Sequence, residues 1–413
     1  MTIEDFLALG AKHNIPRNDL PQDVCRRLQD LQGHILVGHG RRHCKIAQLR
    51  FGPDDDAVTC FIRSSVAPRV WSAWDVLNPA KRVASGDVFV GFYVSARGRR
   101  RLGWPAHRDS AFEEGMFTRS RQLGDREQDW ELEAHPDCML ICAADDPEAA
   151  SACLEAILEC AGEAILPTSA RQCVSGATLP KHREAFGFRD GISQPRFFTP
   201  EPRGDTKLDA ARVAAWEQSA SPLRTVLLPE PGTPDACGSY LVFRRLRQNK
   251  ALFDERYGAD AECAAKLVGR YKNGAPLIDT PPTAHADLPA NAFDYSKDPN
   301  GERCPLSAHV RKVHPRTGGA RIVRRGMPYR EKNEVGLLFM CWQSSLVDQY
   351  ERIQQWANSQ HQGGPDQLLG NSRRGRIRSE YVTMTGGDYF FAPSIQRLKT
   401  PSFPHLGATQ HRR

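Results

Sequence analysis

Residues 185–195 read AFGFRDGISQP, in which Gly187 and Gly191 bracket a single carboxylate, Asp190. Glycine lets the backbone turn sharply and approach a ligand closely, so this segment can present Asp190 in a fixed direction. Taken alone, it is equally an ordinary turn closed by an Asx-type hydrogen bond. A second stretch, CPLSAHVRKVHPRTGG at 304–319, sets His309 between Pro305 and Pro315 and two residues before Arg311. A neutral imidazole is the commonest protein ligand for metals and for haem iron. A lone histidine can also be purely structural, and no companion His or Cys stands at the spacing of a structural zinc site. A third stretch, RIVRRGMPYR at 321–330, offers an arginine able to pair with a carboxylate or with developing negative charge. Its plain alternative is a solvated basic loop.

Outward from these segments the chain alternates between strand and helix patterns. DVFVGFYVS (87–95), MLICAA (139–144), SYLVFRR (239–245), VGLLFMCWQ (335–343) and DYFFAPS (388–394) are strand-like in their β-branched and aromatic content, as is AQLRF near residue 50. Residues 20–32, 146–161, 251–271 and 347–358 read as helical, with Pro147 placed where a helix begins. The Pro- and Gly-dense run from Thr199 to Cys237 reads as a linker or long loop. With 413 residues the chain is too long for one ordinary core, so two α+β units are expected, 1–205 and 206–413.

Charge and cysteine usage narrow the function classes. Lys and Arg total 56 against 49 Asp and Glu, spread along the chain rather than gathered into a recognition stripe, so no nucleic-acid partner is expected. No run of about 18 apolar residues exists, and no membrane span is expected. The opening MTIEDFLALGAKHN lacks the apolar core of a secretory signal, and the 12 cysteines form no C-x-x-C pair; a cytoplasmic location is the expectation.

The three chemical segments together resemble one family. FGFRDGISQP resembles the G-x-x-D-G signature of dye-decolorising (DyP-type) haem peroxidases, CPLSAHVRK their proximal-histidine segment, and RRGMPY their distal-arginine segment, in the same chain order. LQDLQGHILVGHGR, LVGRYKNGAPL, VGLLFMCWQ and GGDYFFAPSIQRL extend the resemblance over essentially the entire chain. It implies an α+β fold of two ferredoxin-like halves, antiparallel sheets with packed helices, of the dimeric α+β barrel type. It also implies one non-covalent haem b in the C-terminal half, with Asp190 reaching in from the end of the first. His309 would be the axial ligand, Asp190 the group that moves the peroxide proton, and Arg324 the charge that steadies the departing hydroxide. Leu337 and Phe339 would wall the distal side, Arg311 would reach a propionate, and Asp388 would back His309.

The partners so implied are hydrogen peroxide and a small organic donor such as a dye or phenol, with a homo-oligomer possible. A haem carrier or sensor on the same scaffold would need His309 but neither Asp190 nor Arg324. A haem-dependent oxidative enzyme of specialised metabolism is a further alternative. Three departures from the family pattern stand out: Arg330 where Gly is usual, His314 where Asn is usual before Pro315, and Arg189 beside Asp190.

Overall fold

Eight strands carry the fold of the computed structural model, which describes residues 1–77, 87–170, 173–199, 220–279, 291–316, 319–361, 363–371 and 379–401. They are β1 (His43–Leu49), β2 (Phe89–Ser95), β3 (Cys138–Ala144), β4 (Cys173–Ala177), β5 (Cys237–Gln248), β6 (Met327–Glu331), β7 (Glu334–Gln343) and β8 (Val382–Ala392). All pair antiparallel in the spatial order β6–β7–β5–β8–β2–β3–β1–β4. Within each half the order is therefore second, third, first, fourth, so the two halves repeat one topology. The halves join where β8 pairs with β2, Phe390 opposite Ser95 and Phe391 opposite Val94. At the other end β4 comes round against β6 and β7: a methyl group built on Gly176 would meet Met327 and Leu338 at 3.1 Å. The unit boundary expected at 205/206 lies outside the described residues.

Period-two alternation explains why these strands are buried on both faces. Phe89 and Tyr93 of β2, Met139 and Ile141 of β3, Phe243 of β5 and Leu338, Met340 and Trp342 of β7 meet in one interior cluster. Their neighbours turn outward: Val90, Phe92 and Val94 pack with Leu140, and with Leu154 and Ile157 of a helix. That helix, α3, follows α1 (Gln22–Asp30) and α2 (Asp55–Phe61) and spans Pro147–Glu159. It starts where Pro147 fits the first turn and Asp146 accepts hydrogen bonds from Glu148 and Ala149 N–H groups. In the second half α4 (Lys250–Tyr257), α5 (Ala261–Val268), α6 (His309–Val313) and α7 (Arg352–Asn358) cover the outer face. The helical region expected over 251–271 consists of two helices, the first ending at Gly258 and the second started by the Asp260 cap. Among the described residues no helix is long and apolar enough to cross a membrane.

Asp388, expected from sequence to back His309, does not do so. A bulge between Met384 and Gly387 shifts the register of β8. Met384 lies before the bulge and lines the cleft described below, whereas the Asp388 carboxylate accepts hydrogen bonds from Met116 N at 2.9 Å and Tyr389 N at 2.8 Å. Burial pushes its pKa up from 3.8 to about 7. The folded protein therefore holds this proton more tightly than the unfolded chain. That contribution is fully present below about pH 4 and is lost as pH rises through about 7. Denaturant unfolding across this range should show wild-type stability falling with pH and a flatter profile for Asp388→Asn. Parallel profiles would refute the assignment.

Candidate active site

The outer face of the second-half sheet and the helices over it enclose a cleft of about 2050 Å³, its open mouth included. The sheet contributes Leu246, Leu337, Phe339, Val382 and Met384; the helices contribute Val268, His309, Val310, Val313, Ile353 and Ala357. Along β7 the alternation assigns the sides: Leu338 and Met340 are fully buried in the interior, while the half-exposed Leu337 and Phe339 face the cleft.

His309 opens α6, where Ala308 is the N-cap. Its Nδ1 lies 2.6 Å from Oδ2 of Asp366, a completely buried carboxylate. The other oxygen of Asp366 accepts hydrogen bonds from Leu368 N at 2.8 Å and Leu369 N at 3.2 Å. Because a carboxylate only accepts, the proton between the two groups sits on Nδ1, and Nε2 is left for the cleft. The loop carrying Asp366 is seated on the segment before His309, with a methyl built on Gly363 coming 2.8 Å from Leu306. Arg311, expected to reach a propionate, points elsewhere. Residues two apart on a helix do not share a face. Its guanidinium instead meets Asp298 Oδ2 at 3.0 Å and Cys304 O at 2.7 Å and lies over the Tyr295 ring at 4.5 Å.

Asp190 and Arg324 line the same cleft, 3.9 Å apart. Arg324 belongs to a two-residue strand paired to β7, and its backbone N–H and carbonyl are both held by the Gln194 side chain, at 3.1 and 3.2 Å. Asp190 follows a tight hairpin whose Gly187 has φ +93° and is succeeded by Gly191 at φ +79°, backbone regions that favour glycine. Its carboxylate accepts from Gly191 N at 2.6 Å, and its own N–H donates to His182 O at 2.8 Å.

Arginines gather along one part of the lining: Arg189, Arg270, Arg316, Arg321 and Arg324. Burial, then the charge of Arg316, brings the Arg270 pKa down to about 10. His314 lies among them with Nδ1 3.3 Å from Ser193 Oγ, and its pKa is pushed down to about 4 by burial first and by Arg316, Arg324 and Arg270 after it. It is a second cleft imidazole, but the carboxylate stands at His309. Arg189 donates its backbone N–H to Lys272 O, and the ion pair of Asp190 is with Arg324. Arg330 is exposed in β6 opposite Val335.

An apolar slot with a carboxylate-backed imidazole and a cationic edge suits a flat, largely apolar macrocycle that carries carboxylates. The side chains present fit a haem.

Comparison with known proteins agrees. Residues 214–397 match the model of the C-terminal part of DyP-type peroxidases. The chain is 32% identical to the multifunctional dye peroxidase DyP2 of Amycolatopsis sp., over 92% of this chain and 96% of that protein. Its structure superposes on an Anabaena sp. DyP-type peroxidase with a TM-score of 0.83 at 30% identity, covering 97% of this chain and all of that one. The corresponding values for the structure of the Amycolatopsis DyP2 are 0.80, 28%, 95% and 100%. Fold and cleft thus define an oxidoreductase of the haem-dependent peroxidase class. The chain belongs to the DyP-type peroxidase family.

Asp366, and the arginines Arg270 and Arg316 of the cationic edge, were not found from sequence. The run GGPDQLLG signals only a turn, and nothing local to residue 366 points to residue 309. Removing the charge behind a ligating histidine typically weakens metal affinity or activity by about 10- to 100-fold. Asp366→Asn should lower haem affinity or peroxide reactivity by that order in a haem titration and a stopped-flow assay. An unchanged variant would show that the contact has no such role.

Proposed function

We propose that the protein is a peroxidase that reduces hydrogen peroxide and oxidises small organic donors such as dyes or phenols in one-electron steps, and that one non-covalent haem b would be held in this cleft by His309 Nε2. The observation that carries the reading is the pairing of a carboxylate-backed imidazole with an Asp–Arg couple on the lining of one apolar cleft. No C-x-x-C-H attachment sequence occurs, which supports non-covalent binding. Leu337, Phe339 and Val310 would pack on the macrocycle, and the arginines are the side chains suited to its propionates.

When bound, the haem would supply the electron-transfer chemistry between peroxide and the one-electron donors. The protein supplies the rest. Asp366 keeps the proton on His309 Nδ1, so that Nε2 presents its lone pair and gains basicity. The Asp190 carboxylate moves a proton from one peroxide oxygen to the other, so the outer oxygen leaves as water. Arg324, fixed by Gln194 and 3.9 Å from Asp190, stabilises the negative charge that grows on the leaving oxygen. The apolar lining limits water around these groups, which strengthens both effects. A haem carrier has no use for the Asp190–Arg324 couple. All twelve cysteines are free thiols, which favours a reducing compartment, and we assign the protein to the cytoplasm.

Two variants test the division of labour. Asp190→Asn should keep the Soret band while slowing the peroxide reaction by about 10²- to 10⁴-fold, the usual contribution of a positioned proton-transfer group. Arg324→Leu should slow it by about 10²- to 10³-fold. Single-turnover stopped-flow with peroxide reads both. An Asp190→Asn protein reacting at the wild-type rate would contradict the role given to Asp190.

A further inference from the structure

We infer that Glu184 is a positioning residue for the peroxide step: its carboxylate ties the hairpin that aims Asp190 into the cleft. The inference rests on the role proposed above for Asp190. Glu184 is the first residue of a tight turn in which Gly187 N donates to Glu184 O and Glu184 N donates to Phe188 O, each at 2.9 Å. Inside this turn the side chain folds back over its own loop. Phe186 N donates to Oε2 at 3.0 Å and Phe188 N to Oε1 at 2.8 Å, so the two oxygens hold alternate N–H groups of one segment. A third donor comes from the sheet: Gln248 Nε2, on β5, reaches Oε2 at 2.6 Å. One carboxylate thus fixes the loop internally and fastens it to the strand forming part of the cleft lining.

The direction of Asp190 is inherited from this backbone. Its carboxylate is held by the N–H of Gly191 and faces Arg324 at 3.9 Å, contacts that leave its aim to the main chain. That main chain runs straight on from the tied segment, Arg189 N donating to Lys272 O at 3.1 Å and Asp190 N to His182 O at 2.8 Å. Glu184 forms no ion pair with a described residue, and the Arg183 guanidinium is spent on the carbonyls of Gly187 and Lys272. The carboxylate therefore acts through backbone N–H groups. Burial pushes its pKa up, with the charge of Asp190 adding to the rise.

The same turn has a second, apolar anchor. Phe186 stacks on Phe253 of α4 with ring centroids 4.3 Å apart, and Phe188 meets that ring edge-on at 6.1 Å. Loss of Glu184 should therefore leave the hairpin docked but free to tilt, which changes the aim of Asp190 without unfolding the cleft. Misplacement of a reacting group by about 1 Å can cost on the order of a hundredfold in rate.

The test compares wild type, Glu184→Gln, Gln248→Leu and Asp190→Asn. In Glu184→Gln one oxygen becomes an NH₂ that cannot accept, so one of the two loop N–H groups loses its partner. Amide hydrogen exchange in the haem-free proteins should be accelerated at residues 186 and 188 in Glu184→Gln, and less so in Gln248→Leu. In the haem-loaded proteins the Soret band should be unchanged. In Glu184→Gln, kcat/KM for peroxide should fall by roughly tenfold or more while kcat/KM for the donor stays at the wild-type value. A purely structural role would move both constants together with haem affinity, and that result overturns the inference. Faster exchange with a wild-type peroxide constant also overturns it. Asp190→Asn separates the two levels. If it is slow while Glu184→Gln is normal, only the Glu184 inference fails; if Asp190→Asn is itself normal, the reading of the site fails.

Discussion

The 2.6 Å contact between Asp366 and Nδ1 of His309 is the constraint on which the rest of the site depends. A buried carboxylate without a donor in front of it would be costly. Here two backbone N–H groups and the imidazole N–H satisfy it, and the same bond chooses the tautomer of His309. Everything proposed for the cleft follows from which nitrogen is left over. If Nε2 faces the apolar slot with its lone pair, a flat metal macrocycle can be held there, and the residues lining the rest of the slot acquire their roles by position.

The fold brings those residues together by layering. Burying both faces of the second-half sheet leaves a row of outward side chains, Leu337, Phe339, Val382 and Met384, and the helices packed over them cannot close completely. The loop after β4 then crosses from the first half into this gap. This explains why Asp190 lies so far along the chain from Arg324 and His309 and yet stands in the same cleft. The pairing of β8 with β2 joins the two halves in one sheet, and the Gln194 side chain ties the segment after Asp190 to the backbone of Arg324.

Much of this was legible in the sequence, and the failures share a cause. Strands such as 335–343 declared themselves through composition, and Leu337 and Phe339 were named for the cleft from the family resemblance. The three chemical segments were recognisable because each is local: glycines beside an aspartate, prolines around a histidine, arginines in a row. Contacts between distant segments were not. Asp366 sits in a short Gly-, Pro- and Asp-containing turn that resembles any surface loop, and Asp388, in GGDYFFAPS, was named in its place. Arg311 was assigned by closeness in sequence, whereas the 3.6-residue period of a helix turns it away from the face that His309 occupies. The curling of β4 against β6 and β7 has no local signature either, since it depends on register summed over the whole sheet.

We propose His309 Nε2 as the single protein ligand offered to the haem. It is tested most directly by titrating haem into wild type and His309→Gly while recording the Soret region, then adding imidazole to the variant. Wild type should bind stoichiometrically with a histidine-type spectrum, His309→Gly should lose it, and free imidazole filling the vacated position should restore it. A variant that binds haem with wild-type affinity and an unchanged spectrum, indifferent to imidazole, would contradict it and direct attention to His314.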